Sequence, residues 1–396
     1  MSLTSRERML AAINCEEADY VPFYPNFIGP WTEKYWKNQI ERKIQMLGMG
    51  FDQNFRIGIP PSFFPISPEV KVKLWKETPA NEKYPILYKV YETPAGELRQ
   101  VVVKTEDWPH GDDIPARSGF IIAGGRSREY IIKGPENLEQ FQYLMDNYTQ
   151  ERIERFRRDA QRQRELAKKY GALVDADGGH GGSLLAALCG LQRVAVWIFK
   201  SPGFVKELLE VVHEWDMKRI RLALSEDPDL VWHSGWYESP EWWTLKGVEK
   251  FIVPLLLDEI ELVHSAGKKF CYLTEKGIMH TADILKKVGI DILWGIDPIA
   301  EGKSPQEMRS RLGSDVCLWG GMSEAVTFQQ GTEAEIRKST KDAIKSFAPG
   351  GGLIFSTIGS IFTQEGWERK GPILIKAWRK YGKYPMKGSF PKGLKR

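Results

Sequence analysis

The stretch from Leu230 to Ile361 decides the fold, because it repeats a short apolar run followed by polar residues or glycine. It begins with Leu230-Val-Trp, followed by His233-Ser-Gly-Trp-Tyr-Glu-Ser-Pro240. The pattern returns at Lys269–Gly277, Ile292–Pro298, Val316–Gly321 and Leu353–Gly359, with helical segments between. Such runs are typical of a (β/α)8 TIM barrel, whose active site is built from the loops after the strands. We therefore predict an α/β fold of this type, with the strand-end residues facing one another across one pocket.

The bulk properties indicate a globular protein of ordinary composition. The chain has 396 residues, 42% of them hydrophobic and 27% charged, with a formal net charge of +4. Its basic residues are dispersed apart from Lys387–Arg396, so a nucleic-acid partner is not expected. The four cysteines form no CxxC pair, and no N-terminal apolar segment or long apolar run is present. We expect reduced thiols, a cytoplasmic location and no membrane association.

The segment 58–135 differs in texture from the rest of the chain. It is rich in proline and contains short alternating runs at Leu87–Tyr91, Leu98–Lys104 and Phe120–Ile122. These features indicate β-hairpins. We predict a single barrel domain spanning residues 1–396, with 58–135 inserted as a lid over the barrel mouth.

The first cluster of candidate site residues is Asp175-Ala-Asp177-Gly-Gly-His180. An acid and an imidazole at a strand end can hold a substrate hydroxyl or move protons, so Asp177 and His180 are candidates for substrate binding. The alternative is a tight turn in which Asp177 caps the next helix.

The second cluster follows the Leu230 strand and contains Glu238 as a candidate catalytic acid. His233, Trp236 and Tyr237 are candidates for substrate binding. Aromatic walls around a carboxylate raise its pKa, which suits proton transfer. The alternative is an exposed loop acid placed near a helix N-terminus, where the helix dipole favours it.

The third cluster consists of Tyr272 and Glu275, both candidate catalytic residues, together with Asp297 after the next strand. Glu275 and Lys276 are alternatively a surface ion pair. Asp297 either contacts the substrate or only stabilises its turn through hydrogen bonds to the backbone.

Taken in order along the chain, a set of short motifs resembles the uroporphyrinogen decarboxylase superfamily. This superfamily includes the decarboxylase itself and corrinoid-linked methyltransferases, and it implies a (β/α)8 barrel with its pocket at the strand ends. The motifs are Arg8-Met-Leu-Ala-Ala-Ile13, Asp19-Tyr-Val-Pro22, Ser239-Pro240, Gly289-Ile-Asp-Ile-Leu293, Gly295-Ile-Asp297, Leu318-Trp-Gly-Gly321, Gly331-Thr332 and Gly350-Gly-Gly-Leu-Ile-Phe355.

Departures from the family pattern select the branch. The arginine-rich segment of true decarboxylases is replaced by Tyr24–Trp31, which has no arginine. A substrate with many carboxylates needs several cations, so porphyrinogen decarboxylation is not expected. The family's thiol-directed methyltransferases bind zinc through a His-x-Cys strand end, and those positions hold Tyr272 and Thr274 here. A thiol acceptor is therefore not expected either.

The remaining branch comprises O-demethylase methyltransferases, which pass a methyl group from a small donor to cob(I)alamin on a separate corrinoid protein. The resemblance implies a methoxylated aromatic donor. It also implies a general acid or a Lewis-acidic Zn2+ at the leaving oxygen, with the ligands unassigned. A homodimer is compatible with it. The alternatives are a decarboxylase or lyase acting on a small carboxylate, and a catalytically silent barrel subunit.

Overall fold

The computed structural model describes residues 3–27, 32, 35–58, 66–106, 108, 110–115, 126–359, 361 and 363–386. The strands are β1 (Asn54–Ile57), β2 (Lys71–Glu77), β3 (Ile86–Thr93), β4 (Gly96–Val103), β5 (Ser127–Glu129), β6 (Leu173–Asp177), β7 (Leu230–Ser234), β8 (Lys269–Leu273), β9 (Ile292–Ile296), β10 (Cys317–Ser323) and β11 (Leu353–Ile358).

Helices follow most of the strands and form the outer layer. They are α1 (Ser5–Ile13), α2 (Gln39–Gly48), α3 (Leu138–Gln142), α4 (Gln150–Tyr170), α5 (Gly181–Cys189), α6 (Leu191–Lys200), α7 (Pro202–Leu224), α8 (Pro240–Gly247), α9 (Val253–Ser265), α10 (Ile278–Val288), α11 (Pro298–Glu301), α12 (Pro305–Leu312), α13 (Glu333–Phe347) and α14 (Gln364–Tyr381). Short 3-10 or π turns cover Pro135–Asn137, Val248–Ile252 and Glu324–Phe328. Among the described residues, no single helix is long and apolar enough to cross a membrane, and the one adjacent pair that would qualify by composition, α5 with α6, is bent by 110°.

The barrel is a parallel sheet in the order β1-β6-β7-β8-β9-β10-β11, closed by the residues 20–27. On one side of this segment, Phe23 forms a parallel bridge with Phe355 of β11. On its other side, the Asp52 N–H donates to the Phe23 carbonyl at 2.9 Å, just before β1. The segment thus occupies the eighth strand position, and the predicted (β/α)8 fold is confirmed.

The barrel interior is filled by aromatic rings and is closed at the N-terminal ends of the strands. Trp232 of β7, Trp294 of β9 and Trp319 of β10 project inward, with ring centroids 4.2 to 5.4 Å apart. Below them, Met9 and Ile13 of α1 pack into the same buried cluster. Because α1 covers the N-terminal end of the strands, the interior is open toward their C-terminal ends, where barrel enzymes place their sites.

The insertion contains an antiparallel sheet in the order β2-β3-β4-β5, as the hairpin pattern predicts. Tyr91 and Leu98 of this sheet join the buried cluster that includes Leu184 of α5. Gln140 of α3 donates its side-chain amide to the Ala95 carbonyl at 3.1 Å. These contacts attach the sheet to the helix layer, and its position as a lid stays a prediction. The expected run at Phe120–Ile122 and the basic segment Lys387–Arg396 lie outside the described residues.

Candidate active site

A small cavity of about 30 Å³ lies at the C-terminal ends of β8, β9 and β11. This volume is comparable to that of one or two water molecules. Its walls combine apolar rings with a single carboxylate. They are Asn26, Trp236, Leu273, Glu275, Trp294, Gly295, Thr357, Ile358 and Gly359.

Glu275 reaches this cavity because β8 and β9 approach each other closely at their ends. The Thr274 N–H donates to the Trp294 carbonyl at 2.9 Å. A Cβ on Gly295 would lie 1.5 Å from the Thr274 carbonyl oxygen, and the φ of Gly295 is +115°. Only glycine fits at this position. The Gly-Ile-Asp motif therefore has a direct structural purpose, which is to hold Glu275 beside the β9 end.

The carboxyl of Glu275 holds a proton near neutrality. Burial and, after it, the charge of Asp297 raise its pKa to about 7, although Lys276 opposes the shift. Lys276 itself is exposed. A carboxyl with this pKa in apolar surroundings is suited to general acid catalysis at physiological pH.

Asp297 has a structural role at the start of α11. One of its oxygens accepts hydrogen bonds from the Ile299 and Ala300 N–H groups, at 2.9 and 3.2 Å. This is the turn-stabilising alternative considered from the sequence, since the side chain caps the helix. Its charge still acts on Glu275, so Asp297 contributes to the site electrostatically.

Asp175 and Asp177 lie at the end of β6 and are held by an arginine that the sequence did not single out. Arg56 of β1 places Nη2 2.7 Å from Asp175 Oδ2 and Nη1 3.4 Å from Asp177 Oδ1. The indole N–H of Trp232 also donates to Asp175, at 2.5 Å. Asp177 does not cap α5, whose N-cap residue is His180. The only available signal was an arginine within a short buried strand, where a carboxylate partner is to be expected.

Glu238, Tyr272 and His233 lie together, but on the opposite side of the sheet from the cavity. His233 Nε2 lies 3.0 Å from Glu238 Oε2, and the Tyr272 hydroxyl donates to the same oxygen at 3.0 Å. His233 Nδ1 lies 2.8 Å from Glu259 of α9. Because strand side chains alternate in direction, Trp232 faces the interior and its neighbour His233 faces the helices. The predicted catalytic residues Glu238 and Tyr272 therefore belong to a buried hydrogen-bond network between the sheet and the helix layer.

The two carboxylates of this network favour the charged form of His233. Burial alone would lower the pKa of His233, but the carboxylates of Glu259 and Glu238 outweigh it and raise that pKa well above its usual range. Glu238 also accepts from the Gly182 N–H at 2.7 Å, which joins the start of α5 to the β7 end. Buried charges are stable only when paired and hydrogen-bonded in this way.

His180 belongs to a second buried group on the helix side. Its Nδ1 lies 2.8 Å from Arg219 Nη1, and its backbone N–H donates to Asp216 at 2.8 Å. Burial opposes ionisation of Asp216, but the contacts with His180 and Arg219 hold its pKa at about 2. His180 is thus placed to stabilise the start of α5, away from the cavity that contains Glu275.

The residues present do not fit the zinc site of the thiol-directed relatives. Tyr272 and Thr274, at the His-x-Cys positions, offer a hydroxyl each, and the Tyr272 hydroxyl is engaged with Glu238. Within the part of the chain that the structure describes, no three His, Cys, Asp or Glu side chains are grouped to hold a metal ion.

Trp236 and Tyr237 differ from each other in position. Trp236 lines the cavity. Tyr237 lies close to Glu275, and burial together with the charge of Glu275 raises the pKa of the Tyr237 hydroxyl.

A parallel barrel surrounded by helices, with its candidate site at the C-terminal ends of the strands, is the architecture of the TIM-barrel class. Residues 140–364 match the family model described as uroporphyrinogen decarboxylase (URO-D), and the chain belongs to this family. The predicted superfamily is therefore confirmed. A comparison with curated proteins finds no match.

A solved methyltransferase structure shares the fold of this chain. A methyltransferase from Methanosarcina mazei superposes with a TM-score of 0.57 at 14% sequence identity, covering 96% of this chain and 99% of that chain. A D-psicose 3-epimerase from Clostridium cellulolyticum H10 gives a TM-score of 0.35 at 13% identity, covering 57% and 84% of the two chains. The first likeness shows a common fold over nearly the whole chain, and the second is too distant to support any argument.

Proposed function

We propose that this protein transfers a methyl group from a small methoxylated aromatic donor to the cob(I)alamin of a separate corrinoid protein. The observation that carries the proposal is Glu275, a carboxyl with a pKa of about 7 at the strand ends of the barrel. The membership of the uroporphyrinogen decarboxylase family and the fold shared with a methyltransferase support it.

The chemistry requires a proton donor at the leaving oxygen. The bond between the methyl carbon and the ether oxygen breaks, and its electron pair stays on the oxygen. Glu275 gives its proton to that oxygen, so that the product leaves as a neutral phenol, and the carboxylate regains a proton from solvent. The corrinoid of the partner protein supplies the nucleophile that accepts the methyl group. A general acid in this position contributes about 10²- to 10⁴-fold to the rate.

The other residues of the site bind and position. A methoxylated ring is larger than the cavity of about 30 Å³, so the donor has to displace the side chains of the walls, and Trp236 and Trp294 are the apolar surfaces that a flat ring then contacts. Asp297 acts by raising the pKa of Glu275. We assign Glu238, Tyr272, His233 and His180 to positioning, because their contacts join the start of α5 to the ends of β7 and β8.

Decarboxylation of a small carboxylate is the second candidate, and Arg56 is the residue that favours it. Its side chain is 41% exposed and lies at the β1 end, where a carboxylate substrate would meet a cation. Against this reading, Asp175 and Asp177 already neutralise its charge. A substrate carboxylate would have to compete with two protein carboxylates for one guanidinium.

An anaerobic absorbance assay with cob(I)alamin and a panel of methoxylated aromatics tests the function. We expect methylcob(III)alamin to appear with at least one donor, together with one equivalent of the corresponding phenol. A flat response with both free and protein-bound corrinoid would contradict the proposal. Release of CO2 from a small carboxylate would establish the second candidate, and no turnover of either kind would favour a silent barrel subunit.

Glu275→Gln tests the proton donor. We expect the rate of methyl transfer to fall about 10²- to 10⁴-fold, because an amide cannot donate the proton. In the wild type, the rate should decline as the pH rises through about 7, since the acid must be protonated. That limb should be absent from the residual activity of the variant. Glu241→Gln, which removes an exposed carboxylate on α8, is the matched control and should leave both rate and pH profile unchanged.

A further inference from the structure

Strand β2 is an exposed edge strand of unusual composition. It lies at the edge of the four-stranded sheet, and all seven of its residues are exposed. Three of them are large and apolar, with exposed fractions of 45% for Val72, 43% for Leu74 and 40% for Trp75. Natural edge strands are usually short, bulged or covered, because their free N–H and C=O groups pair with other chains. This strand is long and regular, and it pairs with β3 along its whole length.

We propose that β2 pairs antiparallel with β2 of a second copy of this chain, so that the two four-stranded sheets join into one sheet of eight strands. A twofold axis perpendicular to the sheet relates the two copies, as in most homodimers. Rotation about such an axis keeps every side chain on the same face of the joined sheet. Residues that oppose each other across the axis must therefore point to the same face, as directly opposed residues of an antiparallel pair do. The axis must therefore pass between the two copies of one β2 residue, so that this residue opposes its own copy.

The charges of β2 select the register. With the axis at Leu74, all seven residues pair, Lys71 opposes Glu77 of the second copy, and Lys73 opposes Trp75. Opposite charges and a cation beside an aromatic ring are favourable cross-strand pairs. With the axis at Lys73, two lysines would face each other. With the axis at Trp75, Lys71 and Val72 would have no partner. The strand is thus complementary to itself around Leu74.

The first test is the mass of the protein in solution, measured by light scattering over a range of concentrations. We expect a species of twice the 45.3 kDa chain mass. Leu74→Lys should raise the dissociation constant by about tenfold or more, because two like charges then face each other across the axis. Leu257→Lys on α9 is the matched control, since Leu257 is 45% exposed, and it should leave the dimer intact. A monomer at all concentrations, or a dimer that Leu74→Lys leaves unchanged, would overturn the proposal.

Cysteine cross-linking tests the register. Directly opposed residues of an antiparallel pair have Cα atoms about 4.5 to 5.5 Å apart, which a disulfide spans. Leu74→Cys should therefore form a covalent dimer on mild oxidation. Val72→Cys should not, because the two copies of residue 72 would lie four positions apart, about 13 Å. Three of the native cysteines are buried and Cys15 is only partly exposed, so the wild type serves as the background. Equal cross-linking of both variants would exclude this register.

A charge exchange gives an independent check that does not alter apolar area. Lys71→Glu and Glu77→Lys should each weaken the dimer. In each single variant residues 71 and 77 carry the same charge, and this like-charge pair occurs at both ends of the strand pair. The double variant K71E/E77K should restore the affinity. If the double variant is as weak as the single ones, Lys71 and Glu77 do not oppose each other across the axis.

Discussion

Two glutamates in similar sequence surroundings end up in different layers of the molecule. Glu238 and Glu275 both follow a barrel strand closely, and both are flanked by aromatic or apolar residues. Glu275 enters the cavity at the strand ends, whereas Glu238 turns back toward the helices and binds His233. Glu238 lies beyond the end of β7, and it is held on the helix side by His233, which faces the helices because strand side chains alternate, and by the Gly182 N–H.

The network around Glu238 predicts a graded loss of stability. Glu238→Ala leaves His233 and the Gly182 N–H without this partner, so we expect the free energy of unfolding to fall by about 3 to 5 kcal/mol. Tyr272→Phe removes one neutral donor and should cost about 1 kcal/mol. Urea denaturation followed by circular dichroism measures both. If Glu238→Ala abolished methyl transfer at unchanged stability, Glu238 would belong to the chemistry.

At the scale of elements, the contact between the ends of β8 and β9 positions the proposed acid. Gly295 permits this contact because its backbone is left-handed and the Thr274 carbonyl occupies the space of a Cβ. The Trp294 carbonyl accepts from the Thr274 N–H, so the two strand ends are also hydrogen-bonded. Any separation of the two strands would move Glu275 out of its apolar surroundings and lower its pKa toward the ordinary value.

Gly295→Ala should therefore affect both stability and activity. We expect a loss of about 2 kcal/mol or more in the free energy of unfolding, from strain and overpacking together. The fall of the rate with pH should move to lower pH, because Glu275 becomes more exposed. Gly203→Ala on α7, where a Cβ would meet nothing within 4 Å, is the control and should not destabilise the protein. Normal stability of Gly295→Ala would show that the strand ends separate at little cost.

At the scale of the whole molecule, the barrel is closed by a buried arginine far from the site in sequence. Arg8 of α1 places Nε 2.7 Å from Asp19 and Nη1 2.8 Å from Asp52. Asp52 in turn accepts from the Phe23 N–H at 3.0 Å. Burial raises the pKa of Asp52 to about 6, although Arg8 opposes the shift. This chain of contacts holds the closing segment 20–27 between β11 and β1.

Arg8→Met should open the closing seam. Removing one partner from a buried ion pair lowers the free energy of unfolding by about 3 to 5 kcal/mol. The backbone amides of Tyr24, Asp52 and Phe355 should also exchange hydrogen faster than those of β7 and β8. Arg6→Met is the control on the same helix. Its side chain is 50% exposed and pairs with Asp229, so it should cost about 1 kcal/mol or less. Uniform exchange across the barrel in Arg8→Met would instead indicate that the sheet opens as one unit.

The sequence alone determined the barrel, the family and the strand end that contains Glu275. It could do so because the strands of a parallel barrel are buried on both faces and read as continuous apolar runs, such as Leu230-Val-Trp and Ile292-Leu-Trp. Polar residues directly after such runs must lie at one end of the barrel. The alternative for Asp297 as a turn residue was also accessible, because its side chain acts on the backbone two and three residues ahead.

Only the tertiary structure decided which of these strand-end residues meet one another. Glu238, Tyr272 and His233 were expected in the pocket. Alternation along β7 and β8 placed His233 and Tyr272 behind the sheet, where His233 contacts Glu238 and Glu259 of α9. Arg56 joined Asp175 and Asp177, although 119 residues separate it from Asp175. Partners of this kind lie on elements that are distant in sequence, so they cannot be predicted from a local pattern of residues. The chain therefore specifies locally where polar groups end each strand, and the packing of the whole barrel specifies which of them face the cavity.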